Sequence, residues 1–176
     1  MSISSSVTIE QVRQQPELAK FIFRASNSWM GGTHNRATVE GFYGAGKEDT
    51  SRAPTHFDMD EPPILLGENR GPNPVEYLLV ALSGCLTTSL VAVASAKGVR
   101  LDRVSSRYQG TLDLRGFLNI ADDVKVEYEK ITILFKIEGD LSESAKDELI
   151  KEAQKFSPVF NSLAKPVQLA VQLERR

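Results

Sequence analysis

The chain has 176 residues, 41% hydrophobic and 25% charged, and a formal net charge of −2. That balance is typical of a folded protein with a buried core, not of a disordered chain, and its scattered basic residues leave no footprint for nucleic acid. A single cysteine cannot form a disulfide within the chain, which excludes a disulfide-stapled secreted scaffold and suits a reducing compartment. Residues 1–15 are polar and charged with no basic-then-apolar leader pattern, so the expected location is cytoplasmic.

In chain order, residues 8–15 predict a short helix with Thr8 as N-cap and Gln11 three residues on, interrupted by Pro16. Phe21, Phe23 and Ala25 alternate with Ile22, Arg24 and Ser26, which is strand periodicity. Gly31 and Gly32 break the chain, and residues 36–42 alternate again, so an N-terminal hairpin is expected. Residues 44–73 are rich in glycine, proline and charge, and predict one short strand at 56–59 within a long loop. Gly41, Gly44 and Gly46 lack the spacing of a dinucleotide-binding loop and are expected in turns.

The best-defined element follows. Asn73 suits an N-cap, Pro74 the first helical position, and Glu76 the positive end of the helix dipole. The helix is predicted to run to about Lys97, with Gly98 in the left-handed position beyond it. Residues 77–96 carry no formal charge over 20 positions, long enough to span a bilayer, but Ser83, Gly84, Thr87, Thr88, Ser89 and Ser95 dilute the stretch. A helix apolar on nearly every side also fits the buried centre of a domain or dimer, and no membrane association is expected.

Strands are then expected over 102–114 and 128–137, followed by a helix capped by Ser142, with Glu143 in its first turn, that ends near Phe156 and Pro158. Val167, Leu169, Val171 and Leu173 alternate in a predicted closing strand. No repeat or linker divides residues 1–176, so one domain is expected. Strands adjacent in sequence favour antiparallel pairing, which gives an α+β fold.

Cys85 is the one residue around which chemistry can be organised. A lone cysteine is often a small core residue, and Cys85 lies about twelve residues into the helix, beyond reach of the helix dipole. Activation therefore needs a cation from elsewhere, and Arg36, Arg52 and Arg70 lie in or beside loops that could supply one. Each taken singly also suits a solvated surface. His34 and His56 with one cysteine make a poor zinc set, and no metal or cofactor is expected. Asp58, Asp60 and Glu61 form an acidic run expected at a solvated strand end.

The segment Gly71-Pro72-Asn73-Pro74-Val75-Glu76-Tyr77, continuing through small apolar residues to Ser83-Gly84-Cys85-Leu86-Thr87, resembles the central helix of the OsmC/Ohr family of osmotically inducible and organic hydroperoxide resistance proteins. The resemblance continues in Lys97-Gly98-Val99, in Ser157-Pro158-Val159-Phe160-Asn161-Ser162-Leu163 and in the closing strand. It implies an intertwined α+β homodimer with antiparallel sheets around long central helices and active sites at the interface. In the peroxidase members the helix cysteine attacks a hydroperoxide and becomes a sulfenic acid. A second cysteine, in a Cys-Pro-Val motif, then forms a disulfide that a lipoylated or thiol partner reduces.

Here Ser157 stands at the position of that resolving cysteine, and serine cannot form a disulfide. Val75 separates Pro74 from Glu76, an offset of one from the peroxide-specialised branch. By resemblance Cys85 is the expected nucleophile, Arg36 its thiolate stabiliser with Arg52 as substitute, and Glu76 the group positioning the arginine. The expected function is a one-cysteine, thiol-dependent reductase of organic hydroperoxides serving oxidative stress defence, with an external thiol or lipoyl reductant. The alternatives are a non-catalytic protein of this fold binding a small apolar ligand at the dimer interface, and another cysteine chemistry such as thioester hydrolysis or thiol transfer.

Overall fold

The computed structural model describes residues 9–165 and 167–175, and the chain divides into two compact units, Met1–Tyr77 and Leu78–Arg176. Both combine helices with antiparallel strands, so the α+β class read from the sequence holds.

In the first unit, helix α1 (Ile9–Gln14) occupies the expected place, and its expected cap, Thr8, lies outside the described residues. Strands β1 (Ser26–Gly31), β2 (His34–Val39) and β5 (Thr55–Met59) form an antiparallel sheet in the order β1-β2-β5. Gly31 and Gly32, at φ 113° and 57°, turn β1 into β2, a backbone course that glycine adopts without steric cost. The register runs from Ser26 opposite Thr38 to Trp29 opposite Asn35, then shifts at a bulge, while β2 and β5 pair from Asn35–Met59 to Val39–Thr55.

The first strand expected from residue 21 begins instead at Ser26, apart from a single bridge between Ile22 and Tyr43. The alternation of Phe21 and Phe23 reports aromatic packing rather than a ladder: their rings lie 6.1 and 5.6 Å from that of Phe42. A hairpin of β3 (Phe42–Gly44) and β4 (Lys47–Asp49) replaces part of the expected loop. Its two-residue turn places Ala45 and Gly46 at φ 52° and 80°, both left-handed, as a type I′ turn demands.

Helix α2 (Pro74–Ala96) starts in the first unit and runs into the second. Asn73 Oδ1 accepts from Val75 N at 2.9 Å and Glu76 Oε2 accepts from Asn73 N at 2.8 Å, a reciprocal cap that fixes the start. At the far end Gly98 takes φ 68° and Val99 N reaches back to Ala94 O, closing the helix as expected. Leu82, Leu86, Leu90 and Ala94 form one buried stripe at four-residue spacing. The described part of one chain does not cover the helix on all sides: Val80 is 58% and Val91 47% exposed.

In the second unit β6 (Arg103–Thr111) and β7 (Lys130–Glu138) pair antiparallel along their whole length. The connection between them contains α3 (Leu114–Phe117), an unexpected turn capped by the Asp113 side chain on Arg115 N. Helix α4 (Glu143–Phe156) starts where Ser142 Oγ accepts from Ala145 N, as expected. Its Ala153 joins Leu90 and Ile137 in a core around which Val104, Phe135 and Ile150 pack. As expected, α4 stops at Phe156 ahead of Pro158, which also opens a further helix, α5 (Pro158–Ala164), because proline suits a first helical position.

The expected closing strand is also corrected. Residues 167–175 join no strand of the described chain, and Val167, Leu169, Val171 and Leu173 are 54, 85, 97 and 83% exposed. Their alternation calls for a ladder partner that the described part of one chain does not supply.

Candidate active site

Cys85 sits on α2 between the buried Leu82 and Leu86, and is itself only partly buried. Its sulfur accepts two hydrogen bonds: Ser157 Oγ donates at 3.1 Å and the Val159 N–H at 3.5 Å. Both donors come from the corner where α4 gives way to α5. Ser157 is fully buried and uses the same oxygen to accept from Phe160 N at 3.3 Å, which caps α5.

Asn161 holds that corner. Its side-chain amide donates to the carbonyls of Gln154 and Ser157 at 2.9 and 2.8 Å, and to that of Lys155 at 3.2 Å. Sequence reasoning assigned Asn161 no role, although it lies within the Ser157-to-Leu163 stretch that carries the resemblance. An asparagine four residues after the serine of a serine-proline pair is the signal that could have marked it.

Beside this corner lies a cavity of about 330 Å³, walled by Leu78 and Leu82 of α2, Ile131 and Ile133 of β7, and Phe160 and Leu163 of α5, with Glu127 and Lys130 among its charged lining residues. The walls are apolar, and α5 contributes both to them and to the sulfur's hydrogen-bond donors.

The residues expected to serve Cys85 from the N-terminal half are engaged within the first unit. Arg36 bonds through Nε and Nη2 to the two carboxylate oxygens of Asp58, at 2.9 and 3.0 Å, and His34 Nε2 lies 2.8 Å from the same carboxylate. The Arg36 bond first, then that of His34, holds the Asp58 carboxyl below its ordinary range. Glu76, expected to position Arg36, accepts from Asn73 N and closes the α2 cap, as its place three residues from that N-cap allows. Arg52 donates to the Glu40 carbonyl, and Arg70 pairs with Glu68. His56 Nδ1 lies 2.9 Å from Thr38 Oγ.

Asp60 corrects the reading of a solvated acidic run. It is 2% exposed and accepts from Thr33 Oγ at 2.6 Å and from the backbone N–H groups of Glu61, Glu68 and Arg70 at 2.9, 3.1 and 3.1 Å. The Thr33 hydroxyl, with these three amides, lowers its carboxyl to about 2.

With this geometry in hand, the sequence matches the OsmC family, described as OsmC-like protein, over residues 67–172. The chain belongs to the OsmC family. No curated protein matches it in sequence. Solved structures share its fold. An OsmC-like protein from Mycoplasma pneumoniae is 17% identical with a TM-score of 0.63, covering 82% of this chain and 88% of its own. A structure from Legionella pneumophila, described as an organic hydroperoxide resistance protein OsmC and predicted redox protein, is 18% identical with a TM-score of 0.59, covering 80% and 88%. An organic hydroperoxide resistance protein from Elizabethkingia anophelis, with crystallant-derived thiocyanate bound, is 18% identical with a TM-score of 0.57, covering 82% and 89%. OsmC proteins are soluble, so α2, although long and apolar enough to cross a membrane, is a core helix of the fold.

Proposed function

We propose that this OsmC-family chain is a thiol-dependent reductase of organic hydroperoxides that works through Cys85 alone and serves oxidative stress defence in the cytoplasm. The observation that carries the reading is the setting of the sulfur: partly accessible, and facing two hydrogen-bond donors rather than a purely apolar core.

In the proposed reaction the Cys85 thiolate attacks the terminal oxygen of R–O–OH. An S–O bond forms as the O–O bond breaks, and the alkoxide takes up a proton and leaves as the alcohol. The sulfur is oxidised by two electrons and the hydroperoxide reduced by two. One external thiol then displaces water from the sulfenic acid to give a mixed disulfide. A second releases Cys85 and departs as the external disulfide, and a lipoyl dithiol can supply both sulfurs. Arg36 is proposed as the cation that assists the charge developing on the peroxide.

A homodimer is part of the proposal, its two α2 helices meeting through the exposed face at Val80 and Val91. Strand addition by a second copy would cover the alternating apolar residues 167–173. Both features suit a protein completed by its own copy. In that assembly the two units of the chain make up one OsmC-like domain.

The apolar cavity favours a second reading, a ligand-binding protein without turnover. The ligand would then sit in this cavity, which Leu78 and Leu82 of α2 help to wall. Incubation with cumene hydroperoxide and dihydrolipoamide decides between them. Catalytic loss of hydroperoxide, absent in Cys85→Ser, supports the reductase, and no loss beyond one equivalent supports the binding protein.

A further inference from the structure

Ser157 takes the place at which the resemblance puts a second cysteine, and its surroundings equip it for a different task. We infer that Ser157 is a catalytic hydrogen-bond donor, which together with the Val159 N–H holds the Cys85 thiolate and so activates the sulfur through neutral groups. The inference rests on the reductase reading for what the sulfur then attacks, but not for the hydrogen bond itself.

Three features of the corner support it. The Ser157 oxygen receives the Phe160 N–H at 3.3 Å, so its one proton is free to point at the sulfur 3.1 Å away. The residue is 0% exposed, so bulk water does not compete for that proton. The Asn161 amide ties the carbonyls of Gln154, Lys155 and Ser157 together, which fixes the backbone carrying the hydroxyl, and the Phe160 N–H bond holds the hydroxyl oxygen itself. A hydrogen bond to an ionised acceptor is stronger than one to its neutral form, so two fixed donors favour thiolate over thiol. The Ser157 proton stays on its own oxygen during the attack on the hydroperoxide. A hydroxyl in this place also leaves the sulfenic acid without an internal partner, so turnover falls to the external thiol.

The test follows alkylation of Cys85 by iodoacetamide against pH in the native protein, Ser157→Ala and Ser157→Thr, with intact mass as readout and thermal melts as control. Ser157→Ala is expected to react about tenfold more slowly near neutral pH, because the sulfur loses its side-chain donor. Its plateau at high pH should not fall, since a thiolate freed of a donor is no weaker a nucleophile. Ser157→Thr, which keeps the hydroxyl and the α5 cap, should stay within about threefold of native. An alanine profile superimposed on the native one overturns the inference, as does one lowered equally at every pH, which marks a merely structural role.

If the alanine variant does not fold, the native protein still decides. The Val159 amide proton should move in parallel with the alkylation profile and stay still in Cys85→Ala, and a static Val159 signal in the native protein overturns the inference. Hydroperoxide turnover is measured separately. Its absence alongside the expected alkylation profile defeats the reductase reading alone.

Discussion

Arg36 stands directly across the β2–β5 ladder from Asp58, and the two side chains meet in a two-pronged ion pair at 2.9 and 3.0 Å. The guanidinium proposed to assist Cys85 thus has a fixed partner within its own unit, so its orientation depends on a carboxylate 22 residues away. Arg36→Ala is expected to slow the reaction of Cys85 with cumene hydroperoxide about tenfold or more, as loss of one aimed electrostatic contact does. Asp58→Asn keeps the cation but loosens its aim, and should slow the reaction less. The pair is partly solvent-exposed, so neither change should move the melting temperature far. Stopped-flow oxidation of the three proteins checks this, and equal rates would remove Arg36 from the mechanism.

Asp60 links stability to pH. In the folded chain its carboxyl titrates at about 2, against an ordinary 3.8, because the Thr33 hydroxyl and three backbone amides bond its charged form. A depressed folded value means that the native state binds protons less readily than the unfolded chain. Its contribution is therefore whole above about pH 4 and is lost as pH falls towards 2. Asp113, also held at about 2 chiefly by its bond from Arg115, acts in the same window. Melting temperature should drop steeply across that range in the native protein and less steeply in Asp60→Asn.

The two faces of α2 should respond differently to substitution. Leu90 is fully buried, so Leu90→Ala is expected to cost about 2–5 kcal/mol of stability in chemical denaturation. Val91, one residue on, is 47% exposed in the single chain. If a second copy covers it, Val91→Glu should dissociate the dimer while leaving the secondary structure intact. Light scattering with circular dichroism reads both outcomes. A native chain that is monomeric at micromolar concentration would contradict the proposed assembly.

Ser157→Cys brings a second sulfur to the place of a hydroxyl 3.1 Å from the Cys85 sulfur. On peroxide treatment the variant is expected to form a disulfide between Cys85 and the introduced thiol, because the atom that the new sulfur replaces already lies in contact with the Cys85 sulfur. Non-reducing mass spectrometry would show the loss of two hydrogens. Onward oxidation of Cys85 with both sulfurs unpaired would show that the corner cannot adopt the bridge.

Much of this was legible in the sequence because the signals were local. The α2 ends at Asn73 and Gly98, the Ser142 cap and the β6 and β7 patterns all lie within a few residues of what they specify. The β3–β4 turn was missed because alanine, not asparagine, takes its first left-handed position. The partners of Arg36 and Asp60 were missed for a different reason. They depend on the register between β2 and β5 across an intervening hairpin, and on a loop folded back onto a buried carboxylate. The alternation at residues 167–173 was read as a closing strand, but these residues join no strand of the described chain. At the site, Cys85 and Ser157 were named from the resemblance, whereas their hydrogen bond and the Asn161 clamp required three-dimensional structure.

The central claim is that Cys85 is a working nucleophile toward organic hydroperoxides. Its most direct test is the second-order rate of Cys85 oxidation by cumene hydroperoxide and by hydrogen peroxide, measured at neutral pH by intact mass alongside free cysteine. The account predicts oxidation by cumene hydroperoxide at least about a hundredfold faster than free cysteine, a gain of about 2.7 kcal/mol in the barrier, and slower oxidation by hydrogen peroxide. A thiol as slow as free cysteine with both oxidants would contradict it and leave the apolar cavity as the functional feature of the chain.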